Sequence, residues 1–209
     1  MSTVYQKIPN CFSLQNEAKK YQGEFADSRI EYLKDCQWLF TEKIDGQNMR
    51  IIWDGYKITY NGRTDNASLS GDVRQFMDGI TKGIEPILEE MFREKPCVIY
   101  GEVYGGSVQR GKTVYSSDLK FSVFDVKVGE FWLDWTDVLD VAKTLNLEVV
   151  PYVLTGTIQD GLDWLKTHKE SLIDGSTRGN EGLVGKPLVT LLNKKAERII
   201  VKLKQEFLS

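Results

Sequence analysis

The most informative motif is Lys-Ile-Asp-Gly at residues 43–46, which places a lysine amine between two apolar, strand-like runs, 38–40 and 49–53. A lysine amine reacts as a nucleophile only when it is deprotonated, and desolvation or neighbouring positive charge favours that form. The glycine leaves room for a bulky anion such as a phosphate. The motif therefore predicts a covalent nucleophile at Lys43, although a hairpin turn with a solvated lysine produces the same four residues.

Two carboxylates and three further lysines lie at the ends of other strand-like segments. Glu102 stands among glycines in Tyr-Gly-Glu-Val-Tyr-Gly-Gly, and Glu181 precedes a Gly-Leu-Val-Gly run that ends at Lys186. Lys202 and Lys204 are two residues apart, so they share one face of a strand and together suit an anion. Each element alone also fits a structural role, such as a glycine turn, a surface acid or a lysine-protected edge strand.

Composition limits the classes of protein and mechanism. No stretch approaches the roughly 20 apolar residues of a membrane span, and the N-terminus lacks a secretory pattern, so an intracellular protein is expected. The cysteines, Cys11, Cys36 and Cys97, are few and widely spaced, which indicates buried apolar residues rather than disulfides or a zinc site. His168 is the only histidine, which argues against a Ser-His-Asp or Cys-His mechanism.

The formal net charge of −3 is unfavourable for a nucleic-acid binder, because neutralising phosphates normally supplies much of the binding energy. The C-terminal segment 194–204 is nevertheless locally basic, whereas acidic residues concentrate in predicted helices such as 85–94. A solvated basic face explains the segment equally well on charge alone.

Hairpins mixed with helices predict an α+β fold with largely antiparallel sheets. No repeat or linker divides the chain, so one domain over residues 1–209 is expected. The predicted helices are 15–34, 72–92, 134–145 and 159–168. The second is expected to kink or break near Gly79, Gly83 and Pro86. The last two are expected to be capped by Thr136 and Asp160, respectively. The predicted strands are 37–60 with a two-residue turn at Asp54 and Gly55, 97–104, 120–128, 183–192 and 199–203.

The order of these motifs is that of the covalent nucleotidyltransferase superfamily of ligases and capping enzymes. Within it, residues 42–48, 100–111 and 121–126 most resemble the RNA ligase 2 family, which includes phage RNA-repair ligases and the ligases of kinetoplastid RNA editing. The resemblance covers about residues 43–204. It implies one nucleotidyltransferase domain, an ATP-grasp-like ligase fold with antiparallel sheets flanked by helices. No C-terminal accessory domain is expected in this chain.

The resemblance implies an ATP-dependent RNA ligase. Lys43 would attack the α-phosphate of ATP, AMP would pass from the lysine to an RNA 5′-phosphate, and a 3′-hydroxyl would then expel AMP. The implied catalytic residues are Lys43, Lys202 and Lys204, with Glu181 binding Mg²⁺ or Mn²⁺. The implied nucleotide-binding residues are Glu42, Asn48, Arg63, Glu102, Phe124 and Lys186, with Phe121 competing with Phe124 for the adenine. The implied partner is RNA, with a nicked duplex favoured, and the protein would be a cytoplasmic monomer, in the host cytoplasm if viral.

Three alternatives remain open. A small ATP-dependent DNA ligase would share the order of motifs, although Asn48 and the Tyr-Gly-Gly-x-x-Gln-Arg stretch favour the RNA group. A capping guanylyltransferase would use GTP instead of ATP. A non-catalytic nucleotide- or RNA-binding module could keep the scaffold, but it would not need the lysine, both glutamates and the terminal lysine pair together.

Overall fold

The structure is a computed structural model that describes residues 3–14, 20–108 and 114–208. The chain divides into two compact units, which are Met1–Tyr5 with Asp45–Val150, and Gln6–Ile44 with Pro151–Ser209. It passes from one unit to the other after Tyr5, Ile44 and Val150. The expectation of a single nucleotidyltransferase domain therefore stays a prediction.

Twelve strands and four α-helices form within the described residues. In chain order they are β1 (Phe12–Leu14), β2 (Tyr21–Phe25), α1 (Ser28–Tyr32), β3 (Trp38–Glu42), β4 (Gln47–Trp53), β5 (Ile58–Gly62), α2 (Gly71–Phe92), β6 (Cys97–Tyr104), β7 (Lys120–Val128), β8 (Phe131–Trp132), α3 (Trp135–Thr144), β9 (Glu148–Val149), β10 (Tyr152–Gly156), α4 (Ile158–Thr167), β11 (Gly182–Pro187) and β12 (Val201–Lys204). Short 3₁₀ helices follow β6 at Gly106–Val108 and β12 at Gln205–Phe207. Within the parts of the chain described, no helix is long and apolar enough to cross a membrane.

The first unit is a sheet in the order β5-β4-β6-β7-β8, with β9 paired to β7. All of these neighbours are antiparallel except β7 and β9. Side chains from one face of the sheet form a continuous apolar core with α2 and α3. Because side chains alternate between the two faces of a strand, every second side chain of β4 and β6 lies on the opposite face of the sheet. On that face Asn48, Glu102 and Ser122 form one cross-strand row.

The second unit is a sheet in the order β10-β3-β11-β12, accompanied by the β1–β2 hairpin, α1 and α4. Its core contains Trp38 and Phe40 of β3 together with Ile158 and Leu165 of α4. Helix α4 approaches β3 closely, since a Cβ on Gly161 would lie 2.8 Å from the Phe40 ring. The predicted α+β class with largely antiparallel sheets is confirmed by both units.

The predicted helix over 15–34 is only partly confirmed where the structure describes it; residues 15–19 lie outside the described residues. Tyr21–Phe25 forms β2 instead, and only Ser28–Tyr32 is helical. The aromatic side chains explain the difference, because Tyr21 and Phe25 pack on Phe12 with ring centroids 5.4 and 4.7 Å apart. Such cross-strand aromatic contacts stabilise a hairpin over a weakly helical polar pattern.

Both predicted helix caps are wrong by two or three residues. Asp134 caps α3 by accepting from the N–H of Asp137, whereas Thr136 already lies inside the helix. Thr157 caps α4, and the Asp160 side chain accepts from the N–H of Thr157 to complete a capping box. Asp160 thus belongs to the helix start, at its third helical position rather than at the N-cap.

Several predicted boundaries also move. Helix α2 runs from Gly71 to Phe92 without the possible break near Pro86. The predicted hairpin between β4 and β5 forms, but its loop comprises residues 54–57, with Asp54 Oδ1 accepting from two backbone N–H groups. Strand β11 ends at Pro187 rather than 192, because proline has no N–H to continue the ladder. The last strand is Val201–Lys204. Cys36 is exposed, although all three cysteines were expected to be buried.

Candidate active site

Lys43 directly follows β3, a strand that is buried along its whole length. Its backbone N–H donates to the carbonyl of Gly182, 2.8 Å away, so the turn after β3 begins in a fixed register with β11. On the other side of β11, Gly182 lies opposite Lys204 of β12. Three neighbouring strands thus bring Lys43, the start of β11 and Lys204 to one level of the sheet.

Glu181, immediately before β11, contacts both lysines. Lys43 Nζ donates to Glu181 Oε2 at 2.6 Å, and Lys204 Nζ lies 3.5 Å from Glu181 Oε1. The side chains of Lys43, Glu181 and Lys204 are 23, 21 and 22% exposed, so the cluster is partly desolvated but open to a ligand. We call these three residues with Lys202 the lysine cluster.

Electrostatic interactions within the lysine cluster act on the two lysines of β12 in opposite directions. Burial, followed by the charges of Lys43 and Lys204, lowers the pKa of Lys202. Burial alone would also lower the pKa of Lys204, but the carboxylates of Glu206 and Glu181 outweigh it and raise that pKa. The excess of positive charge is therefore concentrated near Lys202, which makes the cluster a suitable place for an anion.

Gly182 is required by the backbone at the cluster. Its φ of +151° lies outside the region that other residues adopt easily. A Cβ at this position would lie 2.0 Å from the carbonyl oxygen of Leu203. Asn180 Oδ1 also accepts from the N–H of Gly182 at 2.7 Å, which fixes the chain on both sides of Glu181.

Glu42 does not join the lysine cluster. Strand alternation directs it to the same face as the core residues Trp38 and Phe40, opposite to Lys43. There one carboxylate oxygen accepts from the N–H of Leu172 at 2.8 Å. Burial raises the pKa of Glu42, and hydrogen bonds from Ser171 and Leu172 offset part of this effect. Its nucleotide-binding role stays a prediction.

Lys186 lies further along β11, opposite Leu39 of β3 and on the face that Val184 shares. The Lys186 side chain is half-buried. Val184, which lies between Lys186 and the start of β11, is half-buried as well. The structure therefore places Lys186 on the sheet of the second unit with Lys43, Lys202 and Lys204, at a different level along β11 from Gly182.

Asn48 and Glu102 are paired directly across β4 and β6 in the first unit. Asn48 Oδ1 is buried, and within the residues that the structure describes it accepts no hydrogen bond. A buried acceptor without a donor is costly unless a ligand satisfies it. A hydroxyl-bearing ligand such as a ribose would do so. Gly46 of the motif is also needed locally, since a Cβ there would lie 2.3 Å from the carbonyl oxygen of Val103.

Phe124 and Arg63 complete the predicted set in the first unit. Phe124 is half-buried and meets the Tyr5 ring edge-to-face, with centroids 5.1 Å apart. Phe121, the competing choice for stacking, is 4% exposed and belongs to the apolar core. Arg63 is exposed directly after β5. Gln109, Arg110 and Gly111 of the quoted motif lie outside the described residues.

Sequence reasoning missed the groups that support the motif residues. The buried Tyr115 hydroxyl accepts from the N–H of Asp45 at 3.2 Å. Tyr5 donates from its hydroxyl to the buried carboxylate of Asp125, next to Phe124. No local signal links residues so far apart in sequence. Asn180 could have been found, because asparagine before a glycine-initiated strand commonly accepts from the backbone two residues on.

A metal ion would find limited protein ligation. Among the described residues, no three histidine, cysteine, aspartate or glutamate side chains are grouped to hold a metal ion. Mg²⁺ frequently binds through one or two carboxylates together with the phosphates of a substrate, so Glu181 alone fits a metal that arrives with a nucleotide.

Comparison with protein families gives one clear match. The family model described as RNA ligase matches residues 37–204, which covers both units and most of the chain. A comparison with curated proteins gives no match.

Solved structures give the same fold at low identity. An apo mutant of the Naegleria gruberi RNA ligase is 19% identical with a TM-score of 0.62, and the alignment covers 99% of this chain and 59% of that one. A mutant of the same ligase with ATP and Mn is 19% identical with a TM-score of 0.60, covering 94% and 57%. A protein of Aquifex aeolicus, provisionally assigned as an ATP-dependent DNA ligase, is 19% identical with a TM-score of 0.63, covering 95% and 49%. The chain thus spans between half and three-fifths of the length of these proteins.

Proposed function

The chain belongs to the RNA ligase family, and from this premise we propose that it is an ATP-dependent RNA ligase that forms a covalent lysyl-AMP intermediate. The observation that supports this most strongly is the lysine cluster. Lys43 lies at the end of the buried strand β3 and its Nζ is hydrogen-bonded to Glu181, and two further lysines lie on β12, which pairs with β11. A lysine in such surroundings suits nucleophilic attack on a phosphate.

In the first step, the neutral amine of Lys43 attacks the α-phosphorus of ATP. An N–P bond forms, and the bond from the α-phosphorus to the oxygen that bridges to the β-phosphate breaks. Pyrophosphate leaves with that electron pair. Lys43 must first lose a proton, and Glu181 Oε2 accepts a hydrogen bond from the same nitrogen, so Glu181 is our candidate for the proton acceptor.

Lys202 and Lys204 neutralise the phosphate oxygens during the transfer. Positive charge near a phosphoryl group is most effective in a partly desolvated site, which matches the intermediate burial of both side chains. Glu181 would hold Mg²⁺ or Mn²⁺, which when bound supplies further positive charge to those oxygens. Lys186 would contact the phosphates as well.

The remaining predicted residues would bind the nucleoside. Asn48 and Glu102 would bind the ribose hydroxyls, for which the buried and unsatisfied Oδ1 of Asn48 is the supporting observation. Arg63 would contact ribose or phosphate, and Phe124 would stack on the adenine. The proposed nucleotide contact of Glu42 has the least support, because its carboxylate is buried and bonded to Leu172.

In the later steps, an RNA 5′-phosphate oxygen attacks the phosphorus of lysyl-AMP, and the N–P bond breaks as Lys43 recovers its amine. A 3′-hydroxyl then attacks the activated 5′-phosphate, and AMP leaves as the phosphodiester forms. A nicked RNA duplex is the proposed substrate. The cytoplasmic location and the monomeric state stay predictions from the sequence.

A DNA ligase is the second candidate, because the similarity to the Aquifex aeolicus protein is as strong as that to the Naegleria gruberi ligase. The test offers the protein, ATP and Mg²⁺ to two duplexes of one sequence, nicked in RNA or in DNA. We expect a sealed product and a 5′-adenylylated intermediate with the RNA nick, and neither product with Lys43→Ala. Preferential sealing of the DNA nick would establish the second candidate, and activity of Lys43→Ala would refute both.

A further inference from the structure

A cleft of about 490 Å³ lies in the second unit beside the lysine cluster, and apart from Lys202 its lining residues are outside the set assigned to the nucleotide. One wall is the N-terminal segment 6–10, and the other is the chain from Arg198 to Lys202. Its volume lies within the range of roughly 300–1,000 Å³ that ligand sites occupy. Lys202 lines this cleft and also belongs to the lysine cluster, so the two sites share one side chain.

Hydrogen bonds fix the two walls of the cleft to each other. The Gln6 side chain donates to the carbonyl of Arg198 at 2.7 Å and accepts from the Arg198 N–H at 2.9 Å. Further along, the N–H of Lys202 donates to the carbonyl of Pro9, and the N–H of Cys11 donates to the carbonyl of Lys202, both at 3.0 Å. The cleft is therefore a built part of the unit rather than a gap between loose segments.

The charges that line the cleft favour an anion. Four cationic side chains, Lys7, Arg29, Arg198 and Lys202, face two carboxylates, Asp27 and Glu197. Arg29 is paired with Asp27, and Lys7, Arg198 and Lys202 outnumber the remaining carboxylate, Glu197, so the lining carries a net positive charge. Lys7 is near enough for its charge to contribute to the lowered pKa of Lys202.

Apolar side chains also line the cleft, including Ile8, Pro9, Ile30 and Ile199. A site for a lone inorganic phosphate needs neither this volume nor these apolar groups. The sugars of a nucleic-acid strand present C–H groups beside the phosphates, so a strand can use both the volume and the apolar groups. Lys194 and Lys195 are exposed at the turn just before Glu197 and extend the positive charge beyond the cleft.

We propose that this cleft binds the backbone of the RNA strand next to the end that is joined, with the exposed side chain of Lys7 contacting its phosphates. The proposal rests on the proposed function for the identity of the polymer. An RNA end that reaches Lys202 in the lysine cluster has its adjoining nucleotides at the same wall. The cleft would supply the basic surface that the overall charge of −3 does not.

The test measures binding of a short fluorescein-labelled RNA duplex with one nick by fluorescence anisotropy, in the absence of ATP and metal, over a series of salt concentrations. Lys7→Ala should weaken binding about threefold and reduce the slope of log K against log salt by about 1. Lys7→Glu should weaken it further, and Lys7→Arg should bind as the wild type does. Glu197→Gln should bind more tightly, because it removes a negative charge while its side-chain oxygen can still accept from Asn193.

The matched control is Lys166→Ala, an exposed lysine on α4 of the same unit that does not line the cleft. It should leave affinity and slope unchanged. Unaltered RNA binding by Lys7→Glu would overturn the proposal, as would weaker binding by Glu197→Gln. A Lys7→Glu protein that binds RNA normally but no longer responds to inorganic phosphate would assign the cleft to small anions instead, which also overturns it.

Self-adenylation of the wild-type protein with ATP and Mg²⁺ is measured on the same preparation. If the protein is not adenylated but its RNA binding still changes with the charge at position 7, the proposed ligase function is refuted and the assignment of the cleft stands. Normal adenylation with RNA binding that ignores Lys7 and Glu197 would refute the cleft alone.

Discussion

Glu181 is the residue that connects the chemistry of the site to its electrostatics. Its two oxygens contact Lys43 and Lys204, so one carboxylate offsets part of the positive charge of the lysine cluster. In the proposed reaction, Lys43 must become neutral before it attacks, and the phosphates of ATP then take over the role of counter-charge for the remaining lysines. The nucleophile is thus held in place by the same side chain that must release it.

At Lys43 itself, we expect substitution by either arginine or alanine to abolish covalent labelling by ATP. Arginine keeps the positive charge and can still pair with Glu181, but a guanidinium is not deprotonated in a protein. Incubation with ATP that carries the radiolabel on its α-phosphate, followed by denaturing electrophoresis, measures the covalent labelling. Circular dichroism should show both variants folded, because the Lys43 side chain is partly exposed. Label on Lys43→Arg would assign the nucleophile to another residue.

Glu42 provides a prediction about pH. Burial raises its pKa in the folded protein, so the folded state binds this proton more tightly than the unfolded state does. The contribution of Glu42 to stability is therefore largest below its unfolded pKa and falls as pH rises towards its folded pKa. Glu42→Gln lacks this titration, and its amide oxygen can still accept from Leu172.

The measurement is urea unfolding of both proteins across the acidic to neutral range. We expect the free energy of unfolding of the wild type, relative to Glu42→Gln, to decrease as pH rises above about 4.5. If this difference in the free energy of unfolding stayed constant or increased over the pH range, the pKa of Glu42 would not be raised by burial in the folded protein.

At the scale of elements, the register of β3, β11 and β12 is what assembles the lysine cluster. At Gly182 of β11 the φ is positive, and a Cβ would lie 2.0 Å from the carbonyl oxygen of Leu203 in β12. We expect Gly182→Ala to lower the free energy of unfolding by at least about 2 kcal/mol, because a Cβ would collide with the Leu203 carbonyl and strain the backbone. Urea unfolding at neutral pH measures this loss.

Gly79→Ala is the control for a glycine replacement without a collision. Gly79 lies inside α2, and a Cβ there would meet nothing within 4 Å. Alanine should stabilise the protein by about 0.5–1 kcal/mol, because it restricts the unfolded chain and favours the helix. If both replacements changed stability equally, the close approach at Gly182 would not be the cause.

Much of the element pattern could be predicted because it is local. Strands 97–104 and 120–128 coincide with β6 and β7, since continuous runs of Val, Ile, Phe and Tyr are typical of buried strands. The 21–25 part of the lead-in was mispredicted because its aromatic residues are stabilised by Phe12, a contact that helical periodicity does not encode.

The site could be predicted only through the order of its motifs. Spacing alone does not place Lys43 beside Glu181, 138 positions along the chain, because that contact depends on the strand order β3-β11-β12. The opposite orientation of Glu42 follows from strand alternation once β3 is known. Family resemblance grouped Glu42 with its neighbour Lys43, whereas the backbone directs the two side chains to different faces.

At the scale of the whole molecule, each unit has its own apolar core. The buried residues of the first unit's core lie between Met49 and Leu145 and include residues of α2 and α3, and Leu147 and Val149 pack against them. We therefore expect a fragment of residues 45–150 to fold without the rest of the chain. Far-ultraviolet circular dichroism during heating should show one cooperative transition.

Met77→Ala in the same fragment tests whether that transition reports the core. Met77 is fully buried, so its truncation should cost about 2–5 kcal/mol and lower the melting temperature clearly. A fragment that unfolds gradually, or that melts at the same temperature with Met77→Ala, would show that the first unit depends on the remainder of the chain.

Covalent attachment of AMP to Lys43 is the step on which the whole proposed reaction depends. The most direct measurement incubates the wild-type protein with ATP and Mg²⁺, weighs the intact chain by mass spectrometry and maps any modified peptide, after pyrophosphate treatment has removed AMP already attached. We predict a mass increase of one AMP located on Lys43. An unchanged mass with ATP and either Mg²⁺ or Mn²⁺, or an AMP on a different residue, would contradict the account.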